Sequence, residues 1–149
     1  MNVNELIAVL AAYGLFVLGL AVFQIIVMWK LFTKAGQPGW AAIIPIYNLI
    51  VFIQIAKKPT WWAIWFFAPL LLGLLAGVLP PFLFLILNLV AVVGLIVFAI
   101  LLQVGIAKAF GQGAGFAVGL IFFNLIFMAI LAFGNYQYED QNSDEAILA

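Results

Sequence analysis

From Trp61 to Ala107 the chain runs for 47 residues without one charged side chain. A helix needs about 20 apolar residues to cross the hydrocarbon core of a bilayer, so a stretch of this length holds two crossings and a turn rather than one helix. The adjacent Pro80 and Pro81 mark the turn, because proline disfavours helix in the residue before it. Composition agrees: 69% of the residues are hydrophobic and 7% charged, whereas a soluble domain carries about 25% charged residues. Five Lys balance five acids and there is no Arg, so nothing in the charge suggests a nucleic-acid partner.

The absent residue types exclude most chemistry. With no His and no Cys, thiolate catalysis, disulfides and His or Cys metal sites are impossible, as are Ser-His-Asp and Cys-His nucleophilic sites. Ser143 is the sole serine, and of the acids Glu5 stands alone while Glu139, Asp140, Asp144 and Glu145 sit together near the end. General acid-base work needs positioned titratable groups, so the expectation is a protein that is not an enzyme and carries no cofactor or metal.

Three further apolar stretches flank the long run. Leu6 to Trp29 is 24 residues interrupted only by Gln24, enough to cross with tilt, and it reads as a retained helix because no basic segment precedes it. Trp40 to Ala56 has 17 residues and includes Pro45, Asn48 and Gln54, which is near the lower limit for a span. Phe116 to Phe133 comes after the flexible Gly111 to Gly115 segment and reads as the last crossing, beyond spans at about Trp61 to Leu79 and Phe82 to Ala107. Residues 1–134 thus form a transmembrane helical domain, and 135–149 a polar acidic tail expected to be disordered.

Cytoplasmic loops are enriched in lysine. If Trp40 to Ala56 enters and returns, four helices cross and Lys30, Lys34, Lys57, Lys58 and Lys108 share one face; if it spans, there are five crossings and the lysines split. The first arrangement is the expected fold: an all-α bundle of four spans plus a short re-entrant or interfacial segment, lysine loops cytoplasmic and both termini outside. Trp29, Trp40, Trp61 and Trp62 lie beside the lysines, as an interfacial aromatic belt would.

The segment from Trp29 and Lys30 through Gly36, Pro38, Gly39 and Trp40, followed by Pro45, Tyr47 and Asn48, resembles the signature of an uncharacterised family of small bacterial membrane proteins. Lys58-Pro59-Thr60-Trp61-Trp62, the Lys108-Ala109-Phe110-Gly111 piece and Ala132-Phe133-Gly134 fit the same pattern. The resemblance implies a bacterial cytoplasmic membrane location. A similar module is fused in some bacteria ahead of the catalytic part of a type I signal peptidase, implying a companion role without peptidase activity, since Ser143 has no partner Lys nearby. In that family the region between the Trp pair and the Lys108 piece is usually shorter than it is here.

Within the apolar stretches the polar side chains are amides: Gln24, Asn48, Gln54, Asn88, Gln103 and Asn124. Asn88 and Gln103, 15 residues apart, fall about 60° apart around one helix, and with Asn124 and Asn48 they can line a polar face. The plainer reading is interhelical hydrogen bonding, worth about 0.6 kcal/mol per contact. Gly73-x-x-x-Gly77 and Gly115-x-x-x-Gly119 are candidates for close helix packing. The expected function is therefore a non-enzymatic accessory or scaffold component contacting lipids and other membrane proteins or itself. The alternative is a small channel or carrier for an uncharged solute or ion.

Overall fold

The computed structural model describes residues 2–139, and among these it is helical with no strand. Six α-helices succeed one another: α1 (Val3–Lys34), α2 (Pro45–Ile55), α3 (Ala63–Gly73), α4 (Pro81–Ala109), α5 (Ala114–Phe122) and α6 (Asn124–Phe133). Single 3-10 turns at Gly39–Ala42 and Thr60–Trp62 lead into α2 and α3.

Two helices, α1 with 32 residues and α4 with 29, are long and apolar enough to cross a membrane. α1 begins at a capping box that composition alone does not suggest. Asn2 Oδ1 accepts from the Glu5 amide at 2.9 Å while the Asn2 amide donates to the Glu5 carboxylate at 3.1 Å, which satisfies two amides at the helix start. α4 starts at Pro81 with Pro80 as its cap; proline at the first helical position forfeits no hydrogen bond.

The other stretches expected to cross are broken. Trp61 to Leu79 is not one helix: a 3-10 turn leads into α3, whose 11 residues contain Pro69 and end at Gly73, and turns then continue to Val78. Pro69 has no amide to donate, and Gly73 and Gly77 lower the helix propensity of the residues around them. Phe116 to Phe133 is not one helix either. At Phe123 the backbone leaves the helical region (φ −127°, ψ 48°), and α6 folds back on α5. The rings of Phe116 and Phe127 lie 4.9 Å apart and those of Phe116 and Tyr136 5.8 Å apart, which a continuous helix rising 1.5 Å per residue cannot bring about. Gly119 permits the fold, because a Cβ there would come within 2.3 Å of the Phe127 ring. α5 and α6, at 9 and 10 residues, each reach about 15 Å or less.

The core sits at one end of the molecule, where Val27, Leu31 and Phe32 of α1 meet Ile53 and Ile55 of α2, Ile106 of α4, Leu120 of α5 and Leu131 of α6. α3 runs antiparallel to α4, with Trp62 against Phe98 at 6.3 Å and the Trp65 ring over Gly94. From Val3 to Ile26, by contrast, α1 has no buried residue. Of the segment after Asn135, residues 136–139 are described: Tyr136 packs on Phe116, Tyr138 on Phe110 at 5.6 Å, and the Glu139 amide donates to Ala109 O at 2.8 Å. Asp140, Ser143, Asp144 and Glu145 lie outside the described residues.

Candidate functional site

The ends of α1, α2 and α4 close in the same way. Gly36, Lys57 and Gly111 all have positive φ, at 74°, 55° and 68°. In each case the next amide reaches back five residues: Gln37 to Phe32 O at 2.8 Å, Lys58 to Ile53 O at 3.0 Å and Gln112 to Ala107 O at 2.8 Å. These are Schellman caps, which tie off carbonyls that a helix end leaves unpaired. Glycine suits two of them; Lys57 is the exception and carries the steric cost of a left-handed backbone.

The caps bring the lysines to one end of the fold. Lys34 Nζ donates to the carbonyls of Leu131 at 2.7 Å and Gly134 at 2.6 Å, and Lys57 Nζ donates to the Glu139 carbonyl. Lys30 sits 4.5 Å above the Phe133 ring, Lys57 5.6 Å from Tyr138 and Lys58 5.3 Å from Trp62. Lys108 occupies the last turn of α4. Lysine at a helix C-terminus is favoured by the helix dipole, so three converging C-termini explain the concentration of positive charge.

The motif residues between Trp29 and Asn48 have structural duties here. Gly39 is buried against the Trp29 indole, where no Cβ fits. Pro38 caps the 3-10 turn, and Trp40 stacks on Tyr47 at 5.1 Å with 10° between the rings. Pro45 does not break a helix; it opens α2 at the first helical position. Pro59 caps the turn that carries Trp61 and Trp62, and Trp61 is exposed. Phe110 is buried beneath Tyr138.

At the inner tips of the short helices four amides converge. Gln24 of α1, Asn48 of α2, Gln103 of α4 and Asn124 of α6 line one open cavity of about 290 Å³, together with Pro45 and Phe66 among others. Asn48 Nδ2 donates to Ala42 O at 3.0 Å and Asn124 Nδ2 to Leu120 O at 3.2 Å, so each satisfies a carbonyl beside a helix break. The Oε1 atom of Gln103 is buried with no hydrogen-bond partner. Asn88 is not part of this set; it lies four turns away along α4 and lines no part of the cavity. Among the described residues no group of three or more acidic side chains gathers to hold a metal.

Residues 40–141 match the model of a family of unknown function (DUF5684). The chain belongs to this family. No curated protein and no solved structure matches it. The DUF5684 match begins at Trp40, so α1 and the Trp29 to Gly39 segment precede it, while Asn48, Gln103 and Asn124 fall within it.

Proposed function

We propose that the chain is a multi-pass membrane protein without catalytic activity of its own, an accessory or scaffold component that packs against other membrane proteins or against a second copy. The exposure of α1 carries this reading. Its most apolar 18-residue window is 0% buried, yet only its last turns are anchored to the rest of the fold. A crossing helix that buries no side chain from Val3 to Ile26 against the described residues of its own chain is available to pack between chains. Ala8, Ala11, Ala12, Gly14, Gly19 and Ala21 supply the small residues that let backbones approach, and nothing lies within 4 Å of the position a Cβ would take at Gly14 or Gly19. Resemblance to a module found ahead of a signal peptidase agrees with a companion role.

In the bilayer this reading takes three crossings: α1 and α4, each long and apolar enough for one, and the segment from Thr60 to Leu79, in which a short helix is continued by turns. The Gly39 to Ala56 segment and the α5–α6 hairpin then both enter from the lysine end and return to it. By the positive-inside rule that end is cytoplasmic, which puts Asn2 outside and Glu139 inside rather than both ends outside. The resemblance to small bacterial membrane proteins is what favours a bacterial cytoplasmic membrane. Lys57 and Lys58 beside Trp61 and Trp62 would also engage anionic headgroups, at about 1 kcal/mol per lysine.

A photo-reactive residue placed at Gly14, Gly19 or, as the control, Leu71 tests the α1 reading in native membranes. Discrete protein adducts are expected from the two α1 positions; adducts to lipid alone at both would refute it.

A further inference from the structure

We infer that the amide-lined cavity is a binding site for a small uncharged solute bearing N–H or O–H donors. This goes beyond the scaffold reading and does not depend on association through α1. The cavity has room, about 290 Å³, against a share of roughly 30 Å³ for one water molecule in the liquid. It is therefore large enough for several waters or for one solute of a few heavy atoms.

The hydrogen-bonding inventory sets the polarity of the occupant. An amide side chain offers one acceptor oxygen and two donor hydrogens. Asn48 and Asn124 have each committed one of their two N–H donors, to Ala42 O and Leu120 O, and Gln103 Oε1 is buried and, among the described residues, unpartnered. The polar atom of this set that is left buried and unfilled among the described residues is thus an acceptor. A buried acceptor without a donor is destabilising, so the group that completes this site is a donor.

Charge sets its class. No lining residue is ionisable, so an anion would find no counter-ion. A cation would find no carboxylate, and it would face the first residues of two helices, Pro45 of α2 and Asn124 of α6. Each helix N-terminus carries about half a positive charge, which repels cations; it would attract an anion, but an anion without a hydrogen to donate leaves the Gln103 oxygen unfilled. A neutral hydroxylic or amide-bearing molecule meets neither objection.

Neighbouring hollows share some of these residues. Gln103 and Asn124 line a second cavity of about 390 Å³ on the α5 side of α4, and through Ile100 and Ile121 this adjoins a third of about 450 Å³ that reaches Lys108 and Gln112. The two amides therefore line hollows on two sides.

The protein has no cysteine, so single reporters are clean. Met28→Cys and Leu49→Cys place a thiol in the cavity wall with all four amides retained, and Asn88→Cys is the control outside it. The full chain in liposomes is labelled with a small water-soluble thiol reagent, alone and with glycerol, urea or NaCl present. Both cavity reporters are expected to react, and glycerol or urea at ten times its dissociation constant should slow them roughly elevenfold by mass action, leaving Asn88→Cys unaffected. Adding Gln103→Leu, which removes an unpaired acceptor and so preserves the fold, should abolish that protection. The inference is overturned if the reporters are inert, if labelling proceeds without solute protection, if NaCl protects as well, or if protection survives Gln103→Leu.

Discussion

Lys34 at the end of α1 and Gly134 at the end of α6 are joined by a 2.6 Å hydrogen bond from the lysine ammonium to the glycine carbonyl, and the same ammonium reaches Leu131 O at 2.7 Å. One side chain thus ties the longest helix to the returning arm of the hairpin, 100 residues away in sequence. The bonds use carbonyls that the end of α6 leaves unpaired, so they cap one helix while anchoring another.

Removing that tether should be costly. Hydrogen bonds to a charged group contribute about 1.5–3 kcal/mol, so Lys34→Met is expected to lower the thermal midpoint of the purified protein clearly more than Lys30→Met. Lys30 loses only its contact with the Phe133 ring, worth about 0.5–1 kcal/mol at an exposed position. Equal shifts for the two variants would contradict the capping role.

The Schellman caps make a signed prediction at one position. Lys57→Ala and Lys57→Gly both remove the ammonium that bonds Glu139, but only glycine relieves the left-handed backbone at φ 55°. Chemical unfolding should find Lys57→Gly more stable than Lys57→Ala by about 1 kcal/mol. At Gly111 the opposite holds: alanine adds the φ penalty and its Cβ would lie 2.7 Å from Glu139 Oε1, so Gly111→Ala is destabilising.

Gly105 makes a close helix contact in the core. A Cβ there would meet Ala56 O at 2.7 Å and Ala56 Cβ at 2.9 Å, and a backbone oxygen at a helix end cannot step aside. Gly105→Ala should therefore cost about 1–3 kcal/mol by overpacking, whereas Gly73→Ala and Gly77→Ala, with nothing within 4 Å, should leave the unfolding midpoint unchanged or raised.

Asn48→Leu leaves the Ala42 carbonyl without its partner, at a cost of about 1–3 kcal/mol. Asn88→Leu, remote from that turn, should be neutral. A thermal melt of the two variants side by side checks both statements.

These residues also show what the sequence disclosed. The Pro80-Pro81 break and the long apolar runs were legible because proline and hydropathy act locally. The hairpin at Phe123 was not, since Phe116 to Phe133 carries no Gly or Pro at the bend, and its fold depends on the packing of Phe127 over Gly119. Glycine spacing pointed at Gly73, Gly77 and Gly115, whose surroundings are open, and at Gly119, which packs against Phe127, while Gly39, Gly94 and Gly105 make close approaches that spacing did not indicate; only a partner's position distinguishes them. Of the polar set, Asn48, Gln103 and Asn124 converge as their types suggested, Gln24 joins them, and Asn88 does not, because 15 residues of helix separate it along the axis however well the two align in angle. Lys57 was invisible as a helix stop because that position usually belongs to glycine.

Association through the exposed α1 is the central claim, and native mass spectrometry of the protein released gently from its own membrane tests it directly. A complex of fixed stoichiometry is expected, with a second copy or another membrane protein, and it should dissociate when Gly14 and Gly19 are replaced by leucine. A monomer carrying lipid alone, unchanged by those substitutions, would contradict it.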